Sequence, residues 1–231
     1  MILAMAEVKR AARRERARQT RARIIAAAHQ EFLERGYHGA TMAAIARRAG
    51  VAAQTVYFVF NTKSQLVSQV IDSAVLGTDD PTAPQDSDWW AAMQEAPTAC
   101  EALDHFVRGA GPLLARAAAL AEVVRAAALT DDEVRAVHQH HDRLQGQGYR
   151  QVIDAVTAKG ALRAGLTPAT ATDVLLTLCG DATYVQLTKA RGWPHDRVVD
   201  WLAATARIVI LADPPTCPPR TAENPFNHPG R

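Results

Sequence analysis

Nothing in the 231 residues approaches the run of about 18 apolar residues that a membrane-crossing helix needs, and the N-terminus carries arginine where an export signal needs an apolar run. No membrane partner is expected, and the expected location is the cytoplasm. Cysteine is scarce. Cys100, Cys179 and Cys217 are far apart, odd in number and fit neither a CxxC pair nor a metal spacing, so reduced thiols are expected. Also missing are a Gly-rich phosphate loop, a GxSxG elbow, an HExxH helix and a strand-ended carboxylate pair, so no enzyme and no cofactor is expected. What remains is ordinary for a folded chain: 48% apolar, 22% charged, 13 Gly and 12 Pro, in a length that suits one large or two small domains.

The net charge of +2 conceals a division along the chain. Residues 1–63 hold 12 Lys+Arg against four Glu, a charge of +8, and the remainder holds 14 against 20, a charge of −6. A basic head on an acidic body suits a chain whose one end meets a polyanion. The bland counterpart is a solvated charge run, and residues 9–23 alone, with eight basic groups and one Glu, fit either.

Apolar residues recur at three and four positions nearly throughout, which predicts an all-α protein. A first helix is expected from about Arg21 to Arg35, with Ile24, Ile25, Ala28 and Phe32 on one face and Gly36 as its stop. Thr41 caps a short helix to Ala49, Gly50 ends it, and a second short helix follows from Ala53 to about Phe60. Thr62 and Gln65 form a capping box for a helix to about Leu76. Further helices are expected at about 98–109 and 112–129, from the box Thr130 to Glu133 until Gly160, from Pro168 to near Gly192, and from Pro194 to before Pro214. The organisation predicted is a flexible basic arm (1–19), a helix-turn-helix head with its connecting helix (20–76), a helical body (77–212) and a Pro-rich unstructured tail (213–231).

Two short helices around a tight Gly-containing turn make a helix-turn-helix pattern, although many helical corners share that spacing. The residue types add to it. Gln54, Thr55 and Tyr57 on the second helix and Lys63 at the next helix start are groups that hydrogen-bond bases and phosphates. Arg47 and Arg48 fit a phosphate role or a solvated helix face equally well, and Phe58 with Phe60 is expected in the small core.

The run Ile45-Ala46-Arg47-Arg48-Ala49-Gly50-Val51, followed by Thr55-Val56-Tyr57-Phe58-Val59-Phe60-Asn61-Thr62-Lys63-Ser64-Gln65-Leu66, resembles the DNA-binding head of TetR-type transcriptional regulators. The likeness runs from Ile24 to Leu66. It implies that Thr41, Gln54, Thr55, Tyr57 and Lys63 face DNA, with Tyr57 and Lys63 on phosphates. Three positions depart from the family pattern: Ala52 replaces a frequent Ser cap, Val59 a frequent His or Tyr, and Ser64 a frequent Glu.

The resemblance further implies a homodimer through the last two helices, here about 168–191 and 195–212, and a ligand pocket in the body. Val134, Val137, His141, Leu144, Gly148 and Val152 share one helical stripe, with His138, Gln145 and Tyr149 alongside. These polar members, together with Trp89, Trp90, His105, Phe106, Asp181 and Tyr184, are the candidate ligand contacts, against the plainer reading of core packing. His138, His140 and His141 do not make a metal site, because His140 points away from the other two on a helix. The function expected is a ligand-responsive regulator, a repressor that leaves a palindromic double-stranded operator when a small-molecule effector binds. The rival is an all-helical small-molecule-binding protein or metalloenzyme whose basic arm is incidental.

Overall fold

The computed structural model describes residues 2–77 and 81–212, and the Pro-rich tail expected at 213–231 lies outside them. Among the described residues the protein is all-helical, apart from a single antiparallel bridge between Leu162 and Leu211. Its helices are α1 (Ile2–Gly39), α2 (Met42–Ala49), α3 (Ala53–Phe60), α4 (Lys63–Leu76), α5 (Asp88–Glu95), α6 (Ala99–Ala127), α7 (Asp132–Thr157), α8 (Pro168–Leu178), α9 (Asp181–Val185) and α10 (His195–Ile210). Two compact units divide the chain, one of Met1–Pro81 with Val123–His138 and one of Thr82–Glu122 with Gln139–Arg231. The first unit therefore takes in the turn between α6 and α7 as well as the head.

In the first unit α1 packs on α2 and α4, burying Ile24, Ala28 and Phe32 against Ile45, Leu66, Val67 and Val70. The arginine-rich stretch expected as a flexible arm continues α1 upstream, helical from Ile2. Its Ala, Arg and Glu content favours helix, and an existing α1 spares it the cost of nucleation. At Gly36 (φ +67°) the helix breaks before a last turn. Thr41 Oγ1 accepts from Ala44 N at 3.1 Å to cap α2, and Gly50 in the left-handed region (φ +65°) turns the chain into α3. Thr62 Oγ1 likewise accepts from Gln65 N at 3.1 Å and caps α4.

The second unit is built on α6, α7, α8 and α10, with Leu103, Phe106, Val152, Leu175, Leu202 and Ile210 in its core. Three helix boundaries differ from expectation. First, α6 runs unbroken through Pro112. The lost N–H to the Arg108 carbonyl costs about 3 kcal/mol, and the continuous burial of Val107, Ala110, Leu114 and Ala118 outweighs it. Second, α7 is capped by Asp131, whose Oδ1 accepts from Val134 N at 3.1 Å, because the Thr130 hydroxyl is 3.0 Å from His38 Nε2 instead. Third, the helix expected to reach Gly192 ends at Leu178. The Tyr149 hydroxyl donates to the Cys179 carbonyl at 2.7 Å and Thr183 Oγ1 to the Thr177 carbonyl at 2.6 Å, satisfying oxygens that a helix end leaves bare. Cys179 is free and buried, and burial pushes its thiol up to about 12.

Candidate nucleic-acid interface

Helix α3 has eight residues and buries Val56 and Phe60, four apart on one side. Its other side is open. Gln54 is exposed, Thr55 half-buried, Tyr57 53% exposed and Phe58 87% exposed. Phe60 is thus in the core as expected, whereas Phe58 is not. The period was available in the sequence: two aromatic residues two positions apart on a helix point to opposite sides and cannot both enter one small core. As the uncapped Ala52 suggests, α3 starts without a side-chain cap bond.

The basic residues around α3 fall into two groups. Arg47 is exposed on α2. Arg48 is tied into the head: Nε donates to Glu31 Oε1 at 2.8 Å, Nη1 to Gln30 Oε1 at 3.0 Å and Glu34 Oε1 at 2.8 Å, and Nη2 to Glu34 Oε2 at 2.5 Å. Glu31 is only 2% exposed, and Arg35 Nε lies 3.1 Å from its second oxygen. The Arg48 guanidinium holds the Glu34 carboxyl below its ordinary range. A guanidinium with these partners serves as a clasp between α1 and α2. Arg48→Ala will therefore lower the melting temperature, since it strips a partner from a buried carboxylate, and will leave the salt dependence of DNA binding unchanged. Arg47→Ala should do the opposite, keeping the melting temperature and reducing the salt slope by about 0.9 if Arg47 meets one phosphate. Thermal melts paired with binding isotherms at several salt concentrations separate the two.

Lys63, expected on a phosphate, turns inward. Its Nζ donates to the carbonyls of Tyr37 at 2.8 Å and Ala40 at 3.1 Å and lies 4.2 Å from the centre of the Tyr37 ring. Partial burial lowers its pKa, opposed by the Asp131 carboxylate. The ammonium thus caps the end of α1, and a phosphate contact would require it to leave both carbonyls. Thr41, exposed, already uses its hydroxyl as the α2 cap. The next residue, Ser64, is buried and donates from Oγ to Glu133 Oε2 at 2.6 Å, so a carboxylate from α7 stands at the start of α4. Negative charge is favourable there. No local sequence signal pairs residues 69 positions apart.

The ligand candidates of the second unit do not form one site. Trp89, Trp90, Phe106 and Tyr149 make a chain of rings, with centroid separations of 5.7, 6.3 and 5.1 Å. Burial, reinforced by the neighbouring Cys179 and Asp181 and opposed by Gln145, holds the Tyr149 phenol well above its ordinary pKa. Tyr184 is buried elsewhere in the unit, its hydroxyl 2.8 Å from His195 Nδ1. His105, His138 and His141 are half-buried. The stripe proposed for α7 is incomplete, because Leu144 is 49% exposed. A surface hollow of about 450 Å³ lies along α8 and α10, lined by Thr170, Asp173, Val174, Thr177, Leu178, Thr183, Trp201 and Val209, and includes none of the candidates.

Residues 24–70, the span of this three-helix arrangement, match the family described as bacterial regulatory proteins, tetR family. The match is confined to the head. Over 60 residues the chain is 45% identical to the HTH-type transcriptional regulator TtgR of Pseudomonas putida, a stretch that covers 26% of this chain and only 29% of TtgR. The TetR-type head is joined to a body whose fold also recurs. NalD, the secondary repressor of the MexAB-OprM multidrug efflux pump in Pseudomonas aeruginosa, superposes with a TM-score of 0.65 at 22% identity, over 85% of this chain and 99% of NalD. A transcriptional regulator from Saccharomonospora viridis in complex with choline gives 0.63 at 21%, over 82% and 96%. The TetR-type architecture, a helix-turn-helix head followed by a helical body, is thus the fold of this protein. Among the described residues no helix is long and apolar enough to cross a membrane.

Proposed function

We propose that the protein is a dimeric transcriptional repressor whose two TetR-type heads dock on a palindromic double-stranded operator. One observation carries this reading: α3, within residues 1–63 of charge +8, turns Gln54, Tyr57 and Phe58 outward instead of using them for packing. Gln54 and Thr55 serve as base readers, and Tyr57 and Arg47 as phosphate contacts. One such helix reads too few base pairs to be selective, and a pair of two-fold related copies repeats the reading one helical turn away. The outer surface of α8 and α10 supplies the pairing face, with Val174, Leu178 and Trp201 half-exposed and Ile208 48% exposed around the hollow.

The effector is a small organic molecule that enters at the ring chain of Trp89, Trp90, Phe106 and Tyr149. The rings and the nearby Asp181 suit a compact cation, of the kind of the choline carried by the Saccharomonospora viridis regulator. NalD, a repressor of an efflux pump, supports the repressor role.

Duplexes enriched from a random pool by the full-length protein test the reading. Affinity should fall steeply between about 50 and 200 mM salt. Gln54→Ala should relax the preference at one base position by about 1–3 kcal/mol and leave the other positions alone. A flat salt response removes DNA as the partner. On the same duplex, an effector should weaken DNA binding by the factor by which DNA weakens the effector.

A further inference from the structure

The outward apex of α3 is a phenylalanine. At about 100° per residue, Val56 and Phe60 bracket the buried side of the helix, and Phe58 lies about 180° from their bisector. Its 87% exposure follows from that position. Gln54 lies about 40° from it one turn earlier, and Thr55 about 60° away on the other side. The point of the helix that reaches furthest from the head is therefore an apolar ring between two hydrogen-bonding side chains.

This ring gains nothing from the fold of the head. Removing it leaves no cavity, and keeping it bare holds a large apolar surface in water. The ring's complement must be an apolar group inside a polyanion, because residues 1–63, which contain α3, carry +8. In the major groove of duplex DNA one base alone offers such a group, thymine with its 5-methyl. A phosphate or a sugar would not need an aromatic ring, and a hydrogen-bonding base edge would be desolvated by it without return. We propose that Phe58 reads a thymine in each half-site by packing its ring on the 5-methyl group, between the bases contacted by Gln54 and Thr55. The assignment rests on the DNA-binding reading above and adds to it a specificity determinant, one that separates T from C at a position where hydrogen bonding alone is not used.

The test uses the full-length protein and the duplex it enriches from a random pool. Each thymine is replaced in turn by deoxyuridine, which removes the methyl group and nothing else. Wild type should lose about fourfold in affinity at one thymine of a half-site, the factor for one buried methyl at ~0.8 kcal/mol, and about sixteenfold when both half-sites are changed. Phe58→Ala should bind the thymine and deoxyuridine duplexes equally, and Phe58→Leu should keep part of the difference. Because the side chain is exposed, both variants should melt as wild type does. The proposal is overturned if wild type is indifferent to every deoxyuridine, or if Phe58→Ala retains the full penalty. A uniform loss of affinity in Phe58→Ala, with no thymine singled out, also overturns it and assigns the ring to base stacking. In each of these cases the enriched site survives, and with it the DNA-binding reading. Failure of wild type to enrich any duplex sinks both.

Discussion

Ile208→Asp combined with Val174→Asp will leave each copy folded, separate the two copies and lower operator affinity by about 10²- to 10⁴-fold. Both side chains lie on the outer surface of α8 and α10, Ile208 being exposed and Val174 half-exposed. In a separate copy an aspartate at either position is hydrated and costs little. In the proposed pair it would be buried opposite its own symmetry mate, unpaired and facing like charge, which a two-fold interface cannot relieve. Loss of affinity then comes entirely from loss of the second head, because the substituted residues are not in the DNA-binding unit. Sedimentation of the variant and its binding to the enriched operator measure the two effects. An operator affinity that stays at the wild-type level in a variant shown to sediment as a single copy would remove simultaneous docking of two heads from the reading.

Deleting residues 1–19 should cost about 10²- to 10³-fold in affinity near 0.1 M salt and reduce the salt slope by about 3, the values for three lost phosphate contacts. The segment removes Lys9, Arg10, Arg13, Arg14, Arg16 and Arg18 from the head. Their placement differs from that of a loose tail. Arg10, Arg13 and Arg14 line one hollow of about 320 Å³ together with Ala17, while Arg18 is held by Glu15 at 3.0 Å. Three guanidinium groups on one helical surface reinforce one another's attraction for an anion and repel one another without it. The deletion should leave the melting temperature unchanged, since nearly all of residues 10–19 are exposed. If the truncated protein keeps the wild-type slope, this helical extension is a solubilising surface and the contacts lie elsewhere in the head.

Much of the head was legible before any coordinates. Thr41, Gly50 and Thr62 mark its helices through bonds made within three or four residues, and Ile24, Ala28 and Phe32 mark the buried face through period alone. The outward side of α3 was half legible. Gln54 and Tyr57 face outward as polar types on a short helix should, whereas Phe58, which hydrophobicity alone places in the core, faces outward by its own period. In the body, His141 and Leu144 show the converse fault. A helical stripe predicts burial only where a neighbour covers it, and the middle of α7 is left half open.

The sequence by itself determined the helical class, most of the caps, the division between basic N-terminal part and acidic remainder, and the likeness of residues 24–70 to a known family, because these depend on local spacing and on charges that can be counted. Tertiary structure alone decided which cations are available. Arg47 and Arg48 are exposed neighbours of identical chemistry, yet the guanidinium of Arg48 is bound in a clasp with Gln30, Glu31 and Glu34 from the preceding helix. Lys63 is drawn to the carbonyls at the end of α1, and Ser64 to Glu133 across 69 positions. A charged group takes the partner that satisfies it best after desolvation, and that partner is chosen by proximity in space, which chain order does not encode.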